Sequence, residues 1–469
     1  MKRRFHDVVN QRKAAVDADP WRQRYHIMAP VGWISDPNGL AQFQGTYHIC
    51  HQYTPAADLG VGKGWGHYTT KDFVQYKTQD VPLVPDASID KDGCYSGSGF
   101  AQDGVLHFFY TGNVLFEGDY DYVNTGRGHY VNHVESRDGV HFTNKECLLV
   151  NDDYPDDMSC HVRDPKIFPG KDAFYLVLGA RTKESVGCAL VFRSTDLRSW
   201  TYFTRLETKT PFGYMWECPD LFELDGKLIL LCCPQGVAQN GYDFENVYQN
   251  GYFVCRGTIE SGAEPGSFTE LDHGFDFYAP QTFADEKNRR ILIGWMGMPD
   301  ASYQNPETKN GWQHCLTLPR QLSMRNGRMF QYPIEEILSL RQEPVTIAGS
   351  AGIAYTMHDD VTGELRFRPL EPSFSLKLRH DVELAFDADE KLLTLSLKES
   401  GAGRTSRHVQ IDRVEQIDVF SDRSSIEVFV NGGEAALSSR VYDHEKSFSL
   451  VCDGPFEATY YPYRAFTVE

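Results

Sequence analysis

Three carboxylates stand in short motifs spread along the 469-residue chain: Asp36 in Trp-Ile-Ser-Asp-Pro-Asn-Gly (33–39), Asp164 in Arg-Asp-Pro (163–165) and Glu217 in Glu-Cys-Pro-Asp (217–220). Each leads into a similar strand–turn–strand unit. Units arranged around a common axis would bring the three into one pocket. Paired carboxyl groups facing one sugar suit the cleavage of a glycosidic bond, and in the retaining route they stand about 5–5.5 Å apart. One attacks as an ionised nucleophile, the other gives its proton to the leaving oxygen, and a third can stabilise the cationic transition state. The two main players need opposite protonation states and therefore different surroundings. Asp36 sits in a polar, turn-forming stretch whose backbone N–H groups can hold a carboxylate, which makes it the candidate nucleophile. Glu217 follows Met215 and Trp216, apolar neighbours that favour a protonated acid, which makes it the candidate acid/base. Arg163, one residue before Asp164 in an extended strand, points away from it unless a bulge turns it back. Taken singly each motif is weak; their shared place within a repeat carries the inference.

The repeat itself spans five segments: 36–53, 96–113, 163–181, 218–236 and 279–297. Each has a polar or acidic start, a few apolar residues, a short turn and a strongly apolar strand. Their starts lie about 60 residues apart, enough for one four-stranded sheet each. Between them Thr70-Lys-Asp72, Ser136-Arg-Asp138 and Ser194-Thr-Asp196 lead to Tyr76, Phe142 and Trp200. These read as outer hairpin turns in which Asp supports the turn through its side chain. Such sheets bury both faces by packing around an axis, so an all-β, five-bladed β-propeller over residues 1–333 is expected, with residues 1–24 as an N-terminal extension.

The pattern changes after Pro333. Residues 334–343 read as a linking helix, and 344–469 as alternating β segments with an Asn431-Gly-Gly433 turn, predicting an antiparallel β-sandwich. This part carries no acidic cluster, so a scaffold or oligomer contact is its expected role.

A net charge of −19 argues against nucleic acid or an anionic membrane surface as partner, while a few local cations could still hold a small anionic substrate. The basic start, Met1 to Asp7, has no apolar run behind it, and no stretch is long enough to span a bilayer. The 11 cysteines are odd in number and form no CxxC pair, which points to free thiols in a reducing cytoplasm. No metal site is expected: His48 and His51 face opposite sides of a strand, and His129 and His133 lack acidic or thiol partners at ligand spacing. Nor does any Gly-rich phosphate loop call for a cofactor, since Gly97-Ser-Gly99 enters a strand.

Beyond the acidic motifs, the chain carries Tyr25-His-Ile-Met-Ala-Pro30, Tyr95-Ser-Gly-Ser-Gly99, Tyr110-Thr-Gly-Asn113, His-Val-Arg-Asp-Pro-Lys-Ile-Phe (161–168), Met-Trp-Glu-Cys-Pro-Asp-Leu-Phe (215–222), Phe275 to Gln281, Ile293 to Gly297 and Leu316 to Arg320. With these it resembles glycoside hydrolase family 32, the invertase, sucrose-6-phosphate hydrolase and fructanase group, over nearly its whole length. The resemblance implies a five-bladed propeller with a C-terminal sandwich and a retaining mechanism. It also implies Asp36 as nucleophile, Asp164 as transition-state stabiliser and Glu217 as acid/base, with Asn38, Gln52, Trp65, Ser96, Arg163 and Tyr278 lining the fructose subsite. Three positions depart from the family pattern, Ser35 for Asn, His51 for Tyr and Gly64 for His, and bear on the shape of the sugar pocket. The resemblance thus implies a β-fructofuranosidase of sucrose or sucrose 6-phosphate, with a fructo-oligosaccharide hydrolase or transferase and a non-catalytic sugar-binding propeller as alternatives. A small sugar is the expected partner, and a homodimer is one open state of assembly. Lys63, Arg127, His129, Arg181 and Lys183 are the basic candidates for a phosphate contact.

Overall fold

A computed structural model describes residues 2–469. The fold is mostly β, and the motifs of the sequence fall on the strands that open successive sheets. Five sheets follow one another to Pro333, each beginning with a strand that carries one of the repeat motifs: Gly32–Phe43, Cys94–Gln102, Met158–Pro169, Met215–Leu224 and Tyr278–Ala284; they are antiparallel except that the first gains a short parallel strand at each edge, Trp312–Gln313 and the C-terminal Thr467–Val468. Each of these first strands packs against the first strand of the next sheet, and the fifth packs against the first. The sheets therefore curl into a propeller-like ring with the first strands innermost. Apolar clusters fill the spaces between neighbouring sheets, as in the group of Phe168, Tyr175, Trp216, Leu230 and Phe253.

One irregularity recurs in all five first strands. In each, two residues face a single partner on the second strand: Ser35-Asp36, Tyr95-Ser96, Asp164-Pro165, Cys218-Pro219 and Ala279-Pro280. Such a bulge bends the strand and re-aims the side chains beside it. Proline is tolerated inside a sheet at such places because no ladder hydrogen bond is asked of it. Asp164, Cys218 and Ala279 take positive φ there (64°, 48° and 47°), a conformation with a steric cost for residues bearing a Cβ.

The outer turns form as the Ser/Thr-x-Asp pattern predicts. Asp72 Oδ1 accepts the amides of Val74 and Gln75, Asp138 Oδ1 those of Val140 and His141, and Asp196 Oδ1 those of Arg198 and Ser199. Their aspartates are thus consumed by turn structure. The α-helix Lys2–Asp17 buries Phe5, Val8 and Val16 against the first sheet. A 3₁₀ turn at Glu335–Leu340 leads to two six-stranded antiparallel sheets whose facing sides share one apolar core.

The sandwich is joined to the ring by buried charge. Fully buried Arg320 pairs with Asp272 of the fourth-to-fifth sheet connection (3.0 Å) and with Glu427 of the sandwich (2.5 Å). His26 bridges Asp422 (2.8 Å) and Glu427 (2.9 Å), all three side chains without exposure. Burial opposes a charge on His26, but the hydrogen bonds and charges of the two carboxylates outweigh it and raise its pKa to about 8. A histidine raised from about 6.5 contributes stability that is fully present below pH 6.5 and lost as pH rises through 8; 1.5 units correspond to about 2 kcal/mol. Between pH 6.5 and 9 the wild-type protein is therefore expected to lose more unfolding free energy than the His26→Gln variant, as measured by urea titrations across that range. Parallel slopes for the two proteins would refute this.

Candidate active site

The bulges turn side chains of the innermost strands toward the centre of the ring. A cavity of about 530 Å³ opens there, within the usual range for small-molecule sites, and Asp36, Asp164 and Glu217 all line it. Three motifs far apart in sequence thus share one pocket. Deeper in the ring, the buried Lys166–Asp220 pair (3.1 Å) reaches the fifth sheet at Thr282.

The carboxylates converge on Cys218. Its amide donates to Asp164 Oδ2 (2.9 Å), its thiol lies 3.9 Å from Asp36 Oδ2, and Glu217 is its chain neighbour. Burial and the surrounding carboxylates push the thiol pKa well up, keeping it protonated. Asp36 Oδ2 also accepts the hydroxyl of Ser96 at 2.5 Å. Burial raises the Asp36 pKa, with Ser96 opposing, Glu217 adding to the rise, and backbone N–H and Lys63 opposing again. The polar turn expected to hold this carboxylate ionised is therefore outweighed by burial, because the bulge carries Asp36 into the ring. Asp164 is raised in the same direction by burial, against the pull of Arg163 and with the push of Glu217.

Glu217 has partners that its apolar sequence neighbours did not suggest. Met215 and Trp216 are buried in packing between sheets, while the Glu217 carboxylate meets Arg163 (2.5 Å), the Tyr278 hydroxyl (2.6 Å) and the Gln235 amide (2.8 Å). The expectation of an apolar setting is corrected by the bulge at Cys218-Pro219, which faces Glu217 inward. Arg163 does turn back, as a bulge allows, but toward Glu217; its Nε stays 4.0 Å from Asp164.

Of the expected sugar contacts, Gln52, Ser96, Arg163 and Tyr278 line the cavity. The Gln52 amide N–H groups are used by the carbonyls of Gly64 and Cys94, leaving its oxygen for the pocket. Asn38 and Trp65 do not line it. Asn38 is fully buried, its oxygen accepting the Gly97 amide (3.1 Å). Trp65 is also fully buried, packed on Phe108 and Tyr110 and donating to the Tyr95 carbonyl (3.1 Å). Both support the wall from behind. Ser35, Trp33 and Tyr95 face the cavity instead, as does a rim from Met298 to Asn305 that follows the fifth repeat. Ser35 and Trp33 lie within the first motif, whereas the rim matches no repeated position and left no signal in the sequence.

Among the described residues, one group has metal-ligand proximity, His107, His133 and Glu135. Arg198 already fills the cation's role there, pairing with Glu135 at 2.6 Å and lying 3.1 Å from His133 Nδ1.

Comparison with known proteins gives concordant matches. Residues 26–333 match the family model described as glycosyl hydrolases family 32 N-terminal domain, and 341–457 match the model of the family 32 C terminal. A sucrose-6-phosphate hydrolase of Bacillus subtilis is 38% identical over 459 residues, covering 94% of this chain and 93% of that protein. A raffinose invertase of Escherichia coli is 35% identical over 460 residues, covering 94% and 93%. Among solved structures, a sucrose-6-phosphate hydrolase from Lactobacillus gasseri superposes with TM-score 0.90 at 26% identity, covering 98% of this chain and 97% of that one. A Bombyx mori GH32 beta-fructofuranosidase mutant in complex with sucrose does so with TM-score 0.86 at 28% identity, covering 100% and 99%.

Proposed function

Since the chain belongs to glycosyl hydrolase family 32, we propose that its central pocket cleaves the terminal β-D-fructofuranoside bond of sucrose or sucrose 6-phosphate by a retaining mechanism. The observation that carries this is the convergence of Asp36, Asp164 and Glu217 on one cavity. Relatives named sucrose-6-phosphate hydrolase and raffinose invertase, and a beta-fructofuranosidase mutant solved in complex with sucrose, support the reading. In this reading Asp36 attacks the anomeric carbon of the fructosyl unit while Glu217 gives a proton to the glycosidic oxygen, and the glucosyl part leaves. Glu217 then takes a proton from water, which releases fructose from Asp36 with net retention. Asp164, with its chain neighbour Arg163, binds sugar hydroxyls and steadies the oxocarbenium character of both transition states. Tyr278 and Gln235 hold Glu217 in place, and Ser96 holds Asp36.

The five sheets are read as the blades of a closed propeller over residues 1–333, with 334–343 as linker and 344–469 as a scaffolding sandwich. A reducing cytoplasm is the proposed location, a setting that suits 11 free cysteines, ten of them buried.

The test uses Glu217→Ala, which removes the proton donor and lowers kcat by roughly 10²–10⁴-fold. A substrate with an activated leaving group needs no proton to depart, so it should still load Asp36. Mass spectrometry of digested protein should then show one anhydrofructosyl unit on the peptide containing Asp36. An adduct on another residue, or undiminished sucrose turnover, would exclude this assignment.

A further inference from the structure

Part of the pocket wall is a stretch without regular structure. Tyr303, Asn305 and their neighbours from Met298 line the cavity, yet no strand or helix runs through residues 298–305. A segment without ladder bonds keeps one shape only where side chains tie it down. Those ties come from the sandwich. The Tyr303 hydroxyl donates to Asp276 Oδ1 (2.8 Å), and Asp276 Oδ2 takes the Arg404 guanidinium and the Arg440 amide. Arg404 also lies over the Tyr303 ring (4.9 Å) and donates to the carbonyls of Gly401 and Arg440 (both 2.7 Å). Further along, the Asn305 amide donates to the Tyr442 hydroxyl (2.6 Å), and the unexposed side chains of Glu307 and Arg440 pair at 3.3 Å.

The ties continue to the first acidic motif. The Trp33 indole, which can only donate, lies 3.2 Å from His314 Nδ1, so that nitrogen accepts. Burial and the charges of Arg440 and Arg404 drive the His314 pKa well down. The ring is therefore neutral with its proton on Nε2, which donates to Asn305 Oδ1 (3.1 Å). An unbroken line of hydrogen bonds thus runs from Tyr442 through Asn305 and His314 to Trp33, which lines the cavity three residues before Asp36. Attachment of the sandwich is already supplied by Arg320 and His26. A satisfied polar line that ends at a cavity-lining ring does more than attach.

We infer that Tyr442 and Arg404 of the sandwich are positioning residues for the sugar pocket, holding Trp33 and Tyr303 in their bound arrangement before substrate arrives. This rests on the fructosidase reading above. A wall already ordered spares the substrate the cost of ordering it. The three carboxylates stand beside bulges locked by the ladders of their own sheets and need no such help. Loosening the wall is therefore felt in KM and little in kcat.

The experiment measures kinetics on sucrose and sucrose 6-phosphate for wild type, Tyr442→Phe, Arg404→Lys, Trp33→Phe and the double variant Trp33→Phe/Tyr442→Phe. Hydrogen exchange of peptides covering 298–305 is read alongside by mass spectrometry. Tyr442→Phe removes one hydroxyl and Arg404→Lys keeps a cation beside Asp276, so both should fold. Each is expected to raise KM about 3–10-fold, with kcat within about twofold of wild type. Exchange in 298–305 should quicken while the sandwich strand Ser425–Val430 stays protected. Trp33→Phe deletes the indole N–H that ends the line, so adding Tyr442→Phe to it should raise KM by less than about twofold further. A full Tyr442→Phe effect in the Trp33→Phe background overturns the inference while the fructosidase reading stands. So does an unchanged KM in both sandwich variants, or a loss confined to kcat. Failure of wild type to cleave either sugar overturns both.

Discussion

Replacing Asp36 by Asn is expected to lower kcat on sucrose and on sucrose 6-phosphate by roughly 10⁴–10⁶-fold, the scale on which removal of an enzyme nucleophile is felt. The amide keeps the shape of the carboxylate and one oxygen for the Ser96 hydroxyl at its 2.5 Å contact, but it has no charged oxygen to attack the anomeric carbon. The groups beside it are otherwise engaged. Asp164 is held by the Cys218 amide, the Cys218 thiol is kept protonated, and Glu217 is engaged by Arg163, Tyr278 and Gln235. Because burial disfavours a charged Asp36, the variant should fold at least as well as wild type and still bind sugar by calorimetry. Turnover above one part in a hundred with a clean protein preparation would remove Asp36 from the role assigned to it.

The second large effect concerns stability. Arg320 is fully buried and satisfies Glu427, Asp272, Gln331 and Ser438 at once. Removing one partner of a buried ion pair leaves an uncompensated charge in a medium that solvates it poorly, at a cost of about 3–5 kcal/mol. Here Arg320→Met leaves two carboxylates, and His26 offers help only to Glu427. The midpoint of urea unfolding should drop accordingly, and soluble yield with it. Adding Glu427→Gln and Asp272→Asn to Arg320→Met should recover part of the loss, since the orphaned charges are then gone. A single variant that melts like wild type would show that this junction does not hold the sandwich to the ring.

Much of this molecule was legible in its residues, and the rest was hidden for one physical reason. The acidic motifs, the repeated strand pattern, the Asp-supported outer turns and the alternating C-terminal strands each depend on local chemistry. Asn38, Trp65 and the surroundings of Glu217 depend on which way a side chain points beyond a bulge. A period of two assigns faces along a regular strand, but an extra residue reverses the assignment past it. Asn38 lies two residues after Asp36, across the bulge, and so falls behind the wall with its oxygen on the Gly97 amide. Trp65 lies on the third strand and fills the space between the first and second sheets. The Pro that follows Asp36, Asp164, Cys218 and Ala279 was the one available sign of the irregularity.

The recurrence of that two-against-one kink gives the pocket a modular character. Each corner is locked by ladder bonds of its own sheet on both sides, so exchanging the side chain at one corner need not re-register the other four. Three corners present acids, whereas those of the second and fifth sheets present an uncharged serine and tyrosine. Each neutral corner reaches across to an acidic one, the serine to Asp36 and the tyrosine to Glu217, so a change at either would be felt by its acidic neighbour before it was felt by the fold.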